Sequence, residues 1–96
     1  MEVKVFGVVG AGQMGNGIAH VAAASGLEVI MNDIKQDFVD KGIKAIEKNL
    51  DRNLSKGKMT IEEKTQILKR IKPSVNLKDF ERADFVVEAI IESLDL

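Results

Sequence analysis

A doubly wound parallel α/β sheet, truncated after about four strands, is the fold class that this 96-residue sequence predicts. Three observations predict it. Nearly unbroken apolar runs recur at residues 3–9, 28–32 and 84–91, and strands buried on both faces of a parallel sheet read this way. Helical patterns separate them, as parallel connections require. The first strand passes into the first helix through glycines spaced G-x-G-x-x-G.

That first stretch, VKVFGVVGAGQMGNG from Val3 to Gly17, organises the rest. Val3, Val5, Phe6, Val8 and Val9 form the strand; Gly10, Gly12 and Gly15 follow, then the alanine-rich segment from Ile18 to Ala24. Strand, glycine turn and helix in that order form the dinucleotide-binding arrangement. Gly10 permits the tight turn, Gly12 lets a pyrophosphate approach the backbone, and Gly15 lets the helix lie close on the strand. The helix N-terminus offers N–H groups and a positive dipole end to phosphates. A second strand, EVIMN, ends at Asp33, 23 positions after Gly10, where a carboxylate can accept both ribose hydroxyls of an adenosine. Glycines alone could make an ordinary turn, and Asp33 alone could cap a helix. The strand-to-helix context and the spacing to Asp33 together point to a dinucleotide.

Composition narrows the function classes. A formal charge of −1 with 30% charged residues describes a mixed, soluble surface. It argues against nucleic acid as a partner, and no basic cluster or aromatic platform appears. Without cysteines the chain can form neither disulfides nor thiolate metal sites, which fits a reducing cytoplasm. The apolar run after Met1 is too short for a signal peptide, and no run reaches membrane-spanning length.

Taken in order, the first helix is expected over about residues 13–25, with Gly26 as its stop. Gly17 inside it costs about 1 kcal/mol relative to alanine, and close packing on the sheet would explain it. His20, the lone histidine, reads as a surface or packing residue. Two helical segments then occupy about residues 35–72 in place of one crossover. The first carries Val39, Ile43, Ile46, Leu50 and Leu54 on one face up to Lys56, and Gly57 is its C-cap. The second opens with Thr60 and Glu63, spaced as a capping box; Lys69, Arg70 and Lys72 suit its C-terminal end, and Pro73 stops it. A short strand is expected at residues 74–77, a polar turn or short helix at 78–82, and a fourth strand at 84–91. In strand order 3-2-1-4 the switch point falls beside Gly10 and Ala89, with Glu88 and Glu92 close by. Four strands are fewer than the six or so of a complete fold of this Rossmann type, and the last leaves an apolar edge. The chain therefore reads as the N-terminal part, residues 1–96, of an incomplete dinucleotide-binding domain.

VVGAGQMGNGIAHVAAASG and ADFVVEAIIESLDL together resemble the NAD-dependent 3-hydroxyacyl-CoA dehydrogenases, and among them the bacterial 3-hydroxybutyryl-CoA dehydrogenases. The forms G-x-G-x-M-G-x-G-I-A and V-E-A-x-x-E carry the resemblance, as does the helical pair between them. The likeness covers the whole chain and the N-terminal part of the family's length. It implies that Gly10, Ala11, Gly12, Gln13, Met14 and Gly15 form the pyrophosphate turn of an NAD site, with Asp33 on the adenosine ribose and Ala89 and Glu92 on the nicotinamide side. Asn49 and Lys56 match positions that face the CoA substrate. Some members have serine in place of Asn49, and many have glutamine in place of His20.

The same resemblance implies hydride transfer between 3-hydroxyacyl-CoA and 3-oxoacyl-CoA in fatty-acid or butyrate metabolism, and a cytoplasmic homodimer when full length. The family's catalytic histidine, glutamate, serine and asparagine positions fall beyond Leu96, so no catalytic residue is expected within this chain. Two other readings stand beside this one. The chain could belong to another Rossmann oxidoreductase, against which the long helical pair counts, or to an NAD-binding module without catalysis.

Overall fold

The computed structural model describes residues 3–89. Four strands, β1 (Val5–Val9), β2 (Glu28–Asn32), β3 (Ile71–Ser74) and β4 (Phe85–Glu88), form one sheet in the order β3-β2-β1-β4. All three pairings are parallel, with Val8 opposite both Met31 and Val87. The expected strand order is therefore the observed one. Helices α1 (Gln13–Ala24), α2 (Gln36–Ser55) and α3 (Ile61–Arg70) and a 3₁₀ helix at Leu77–Arg82 make the connections.

One face of the sheet carries the core. Val8, Val29 and Met31 are fully buried there against Ala19 and Ala23 of α1 and Val39, Ile46 and Leu50 of α2. The small residues of α1 let it lie low on β1 and β2, and α2 packs against α1 and β3. At about 25 cal/mol per Å² of apolar area removed from water, each fully buried aliphatic side chain contributes about 1.5–3 kcal/mol. Polar contacts join the helical pair internally and to α1. Lys64 of α3 pairs with Asp51 of α2. Arg70 donates to the carbonyl oxygen of Ala23, at 2.8 Å, where the C-terminal end of α1 attracts a cation.

Local signals govern the helix ends. The capping box at α3 is complete: the Glu63 N–H donates to the Thr60 hydroxyl, and the Thr60 N–H donates to the Glu63 carboxylate. Gly57, at φ +71°, ends α2 as expected. The third connection departs from the sequence reading. Helix α3 stops at Arg70 rather than Lys72, and β3 occupies residues 71–74 rather than 74–77. Pro73 therefore lies inside a strand instead of ending a helix. It is tolerated because β3 is the sheet's outer strand on that side, where a missing N–H can face away from the ladder. The helical pattern at Lys72 is overridden by pairing, since Ile71 is buried opposite Val29.

At the other edge β4 begins at Phe85, one residue later than expected. Asp84 instead turns its carboxylate to the backbone N–H groups of Lys4 and Val5, both at 2.9 Å. Those two bonds hold the Asp84 carboxyl below its ordinary pKa. The expected strand residues Ile90 and Ile91 lie outside the described residues.

Gly17 is not the close-packing glycine that the sequence suggests, since a Cβ built there meets nothing within 4 Å. That role belongs to Gly42, within α2. A Cβ on Gly42 would lie 2.7 Å from the Ala11 carbonyl oxygen and 2.9 Å from the end of the Met31 side chain. Gly42→Ala is expected to lower stability despite alanine's helix propensity advantage of about 1 kcal/mol. Overpacking typically costs about 1–3 kcal/mol, and the Met31 side chain can yield whereas the Ala11 carbonyl cannot. Urea denaturation would show this as a lower midpoint at unchanged slope; an unchanged or higher midpoint would mean that α2 can shift away without loss.

Candidate dinucleotide site

The site is built where β1 and β2 end. Gly10 leaves β1 at φ +108° and donates its N–H to the Asn32 carbonyl oxygen at 2.7 Å, so the turn is tied to the last residue of β2. Asn32 is itself buried and donates through its amide to the Ser74 hydroxyl. One residue on, the Ala11 N–H donates to Asp33 Oδ2 at 2.9 Å, and the Ile34 N–H donates to Asp33 Oδ1 at 2.7 Å. Asp33 is thus held by two backbone donors, one from the glycine turn itself. A carboxylate can accept about four hydrogen bonds, which leaves acceptor capacity for a pair of ribose hydroxyls.

Gly15 closes the turn from below. A Cβ at this position would stand 1.8 Å from the Gly10 carbonyl oxygen, so any side chain would drive α1 off the strand end. Gly12 is the opposite case, exposed and with nothing within 4 Å of a built Cβ. Its bare backbone faces open space on the ligand side. No side chain caps α1, and the Asn16 N–H, bonded to the Gly12 carbonyl, opens the helix ladder. The N–H groups before it are those that a helix leaves without internal partners. A bare glycine, uncapped helix N–H groups and a fixed carboxylate fit the diphosphate and ribose of a dinucleotide.

These groups share one cavity of about 740 Å³. Gly10, Ala11, Gly12, Gln13, Met14 and Asp33 line it, joined by Ala89 at its β4 side. Ala89 is buried and donates its N–H to the Val9 carbonyl oxygen at 2.8 Å, extending the pairing of β4 with β1 past Glu88. The far wall is one face of α2, formed by Phe38, Lys41, Gly42, Ala45, Lys48 and Asn49.

Of the residues expected from the sequence, all those in the turn, together with Asp33, Ala89 and Asn49, are brought together here. Gly15 supports the cavity from behind rather than lining it. Lys56 is not on its wall: it is the exposed C-cap of α2, seven residues and about two turns past Asn49 on the same helical face. Glu92 lies outside the described residues. His20 is half-buried on α1, where burial pushes its pKa below the ordinary value, and it is absent from the cavity wall.

Apart from Asn49, sequence reasoning overlooked the α2 wall. Its signal was present as a glycine inside a 20-residue helix and as Phe38, Lys41, Ala45 and Lys48 recurring at helical spacing, a pattern indistinguishable in sequence from a solvated face. Among the described residues, the cavity wall holds one carboxylate, Asp33, and no histidine. The arrangement can bind an extended dinucleotide but offers no acid–base pair for proton transfer. No cluster of metal-binding side chains occurs among the described residues, and none of their helices is long and apolar enough to cross a membrane. A second cavity of about 400 Å³, lined by Lys72, Ser74 and Arg82 among others, holds none of the expected residues. Of its three cations, Lys72 and Arg82 are paired to Glu28.

Comparison with known proteins gives this geometry a family. The probable 3-hydroxybutyryl-CoA dehydrogenase of Deinococcus radiodurans is 52% identical over 88 residues, which span 92% of this chain and 31% of that protein. The 3-hydroxybutyryl-CoA dehydrogenase of Bradyrhizobium diazoefficiens is 47% identical, over 94% of this chain and 31% of its own length. The crystal structure of the (S)-3-hydroxybutyryl-CoA dehydrogenase of Ralstonia eutropha superposes with a TM-score of 0.93 at 42% identity, covering 98% of this chain and 33% of that one. The chain thus spans about a third of the length of these relatives. Residues 5–96 match the family described as 3-hydroxyacyl-CoA dehydrogenase, NAD binding domain. The chain shares its fold with the last of these, and it belongs to the 3-hydroxyacyl-CoA dehydrogenase family as an NAD-binding domain.

Proposed function

We propose that residues 1–96 serve as the N-terminal part of the NAD-binding domain of an enzyme that interconverts 3-hydroxyacyl-CoA and 3-oxoacyl-CoA, with 3-hydroxybutyryl-CoA as the favoured substrate. The observation that carries this reading is the single cavity joining the glycine turn, Asp33 and Ala89 to Asn49 of α2. In it, Gly10–Gly15 receive the pyrophosphate and Asp33 takes the adenosine ribose. Ala89, with Glu92 after it, bounds the nicotinamide side. Asn49 faces the CoA substrate from within the cavity, and Lys56 continues the same helix face beyond it. Bound NAD supplies the hydride acceptor; this chain's residues position it and leave proton transfer to groups elsewhere in the enzyme. A cytoplasmic homodimer that contacts no nucleic acid is the assembly we infer for the complete protein.

The test is an assay of the full-length protein with acetoacetyl-CoA and NADH. Turnover of about 1–10³ per second is expected, with NADPH a poor substitute. Residues 1–96 alone are expected to give none, because the cavity lacks an acid–base pair. A full-length protein that ignores acetoacetyl-CoA, or an isolated domain that reduces it at an ordinary enzymatic rate, would overturn the assignment.

A further inference from the structure

The ends of β2 and β3 meet at one hydroxyl outside the dinucleotide cavity, that of Ser74. Ser74 is 6% exposed, and Asn32, its partner across the ladder, is 3% exposed. The Asn32 amide donates to Ser74 Oγ at 2.9 Å, and the Asn76 N–H donates to it at 3.3 Å. Asp79 Oδ2 lies 2.6 Å from the same oxygen. A hydroxyl has one hydrogen and two lone pairs. The carboxylate is a closer and stronger acceptor than the Asn76 carbonyl oxygen at 3.0 Å, so the hydrogen goes to Asp79. Both lone pairs then receive N–H groups, and the hydroxyl is fully used. The sequence builds this locally: Asn76 caps the 3₁₀ helix by accepting the Lys78 N–H at 3.0 Å, and that turn carries Asp79 back to Ser74.

The hydroxyl reaches the site through a single peptide. The Asn32 carbonyl oxygen accepts the Gly10 N–H at 2.7 Å, and the Asp33 N–H donates to the Ser74 carbonyl oxygen at 3.1 Å. Those backbone bonds hold the two sides of the peptide that joins Asn32 to Asp33. The Asn32 side chain on Ser74 Oγ is a third anchor. Among the described residues no buried side-chain nitrogen or oxygen lacks a partner, and a buried amide deprived of its acceptor must turn or draw in water. The peptide that would shift with it carries Asp33. Because the Asp33 carboxylate is already shared between the Ala11 and Ile34 N–H groups, such a shift redirects the lone pairs left for a ribose.

We propose that Ser74 is a positioning residue for cofactor choice: oriented by Asp79, its hydroxyl holds Asn32 and so sets where the Asp33 carboxylate meets the adenosine ribose. The proposal rests on the assignment of Asp33 to that ribose. Ser74 is not on the cavity wall and acts on the cofactor only through Asp33. A binding group is placed no better than the groups that support it.

The experiment titrates variants of the full-length protein with NADH and NADPH, well below their melting temperatures. Ser74→Ala is expected to raise Kd for NADH about 2–30-fold, the reach of coupling through a packed network. Kd for NADPH should rise less, because a displaced carboxylate repels the 2′-phosphate less. A merely structural role would leave that ratio where it is. Asp79 is exposed, so Asp79→Ala keeps the fold and should shift the ratio in the same direction. Asp79→Asn, whose amide oxygen still accepts from Ser74, should recover most of the parent's preference. Glu81→Ala, an exposed position on the same 3₁₀ helix, should match the parent. Added to Asp33→Ala, Ser74→Ala should cost no further NADH affinity, as groups acting through one contact behave in a double-mutant cycle. Equal losses for the two cofactors, unchanged NADH affinity in both Ser74→Ala and Asp79→Ala, or a Ser74→Ala loss that adds in full to that of Asp33→Ala would each overturn the proposal while leaving the ribose assignment intact. An Asp33→Ala protein whose NADH-to-NADPH ratio equals the parent's would instead refute the ribose assignment, and the role of Ser74 with it.

Discussion

Gly15→Ala lowers the melting temperature by more than about 10 °C and removes measurable NAD binding. The added methyl would begin 1.8 Å from the Gly10 carbonyl oxygen, where Cβ atoms do not approach within 3.0 Å. Relief therefore needs a movement of at least 3.0 − 1.8 = 1.2 Å between two stretches of backbone. Overpacking against side chains costs about 1–3 kcal/mol and occasionally more. Here no rotamer change can help, so the upper end is expected, and about 3 kcal/mol shifts a domain of this size by roughly 12–24 °C. Any shift of α1 also misplaces the N–H groups aimed at the diphosphate, so affinity falls together with stability.

The control lies two residues away. Gly17→Ala makes the same chemical change in the same helix, but the methyl enters open space. It is expected to raise stability by about 0.4–1 kcal/mol through helix propensity and a less flexible unfolded chain. Thermal denaturation of the two variants beside the parent would decide the matter. A Gly15→Ala protein that melts within a degree or two of the parent, with NAD affinity intact, would show that the turn relaxes and that the contact with Gly10 is not decisive.

Those two glycines also mark what sequence could and could not disclose. Gly15 was legible because its spacing from Gly10 and Gly12 belongs to a recurring turn whose geometry is known in advance. Gly17 and Gly42 carry no such frame. Each is merely a glycine inside a helical pattern, and only tertiary packing reveals that one faces open space while the other meets the Ala11 carbonyl. The same distinction separates β1 from β3. The valines of β1 announce a buried strand whatever surrounds them, whereas IKPS reads as a helix end followed by a breaker. Ile71–Ser74 become a strand because β2 offers a ladder and the edge position forgives the proline.

The site divides along the same line. The turn and Asp33 lie close to the chain's first two strands and follow local rules. The α2 wall comes from a helix folded back over the turn, so its lysines could not be sorted into cavity-facing and solvent-facing until the packing was seen.

Asp33→Ala is expected to weaken NAD binding by about 1.5–3 kcal/mol, the usual worth of a hydrogen bond to a charged group, or about 10–150-fold in affinity. Two separate contacts are lost in this variant. One is the proposed contact with the adenosine ribose; the other is the acceptor for the Ala11 N–H, which fixes the glycine turn. Loosening the turn weakens NAD and NADP alike, since both carry the same diphosphate. Loss of the ribose contact affects NAD alone, because in NADP the 2′ oxygen bears a phosphate that the Asp33 carboxylate repels. With the carboxylate gone, Lys35 at the helix entry and Lys41 on the cavity wall become the nearest cations in sequence to that phosphate. The ratio of the two affinities thus isolates the ribose role from the structural one. Asp33→Asn refines the separation: its amide oxygen can still accept from Ala11, so it should keep more of the turn than alanine does while still narrowing the NAD/NADP gap. Titrating each variant with both dinucleotides is enough. An unmutated protein that prefers NADP, or an Asp33→Ala protein that loses both cofactors in equal proportion, would mean that Asp33 only holds the turn and that discrimination lies elsewhere in the site.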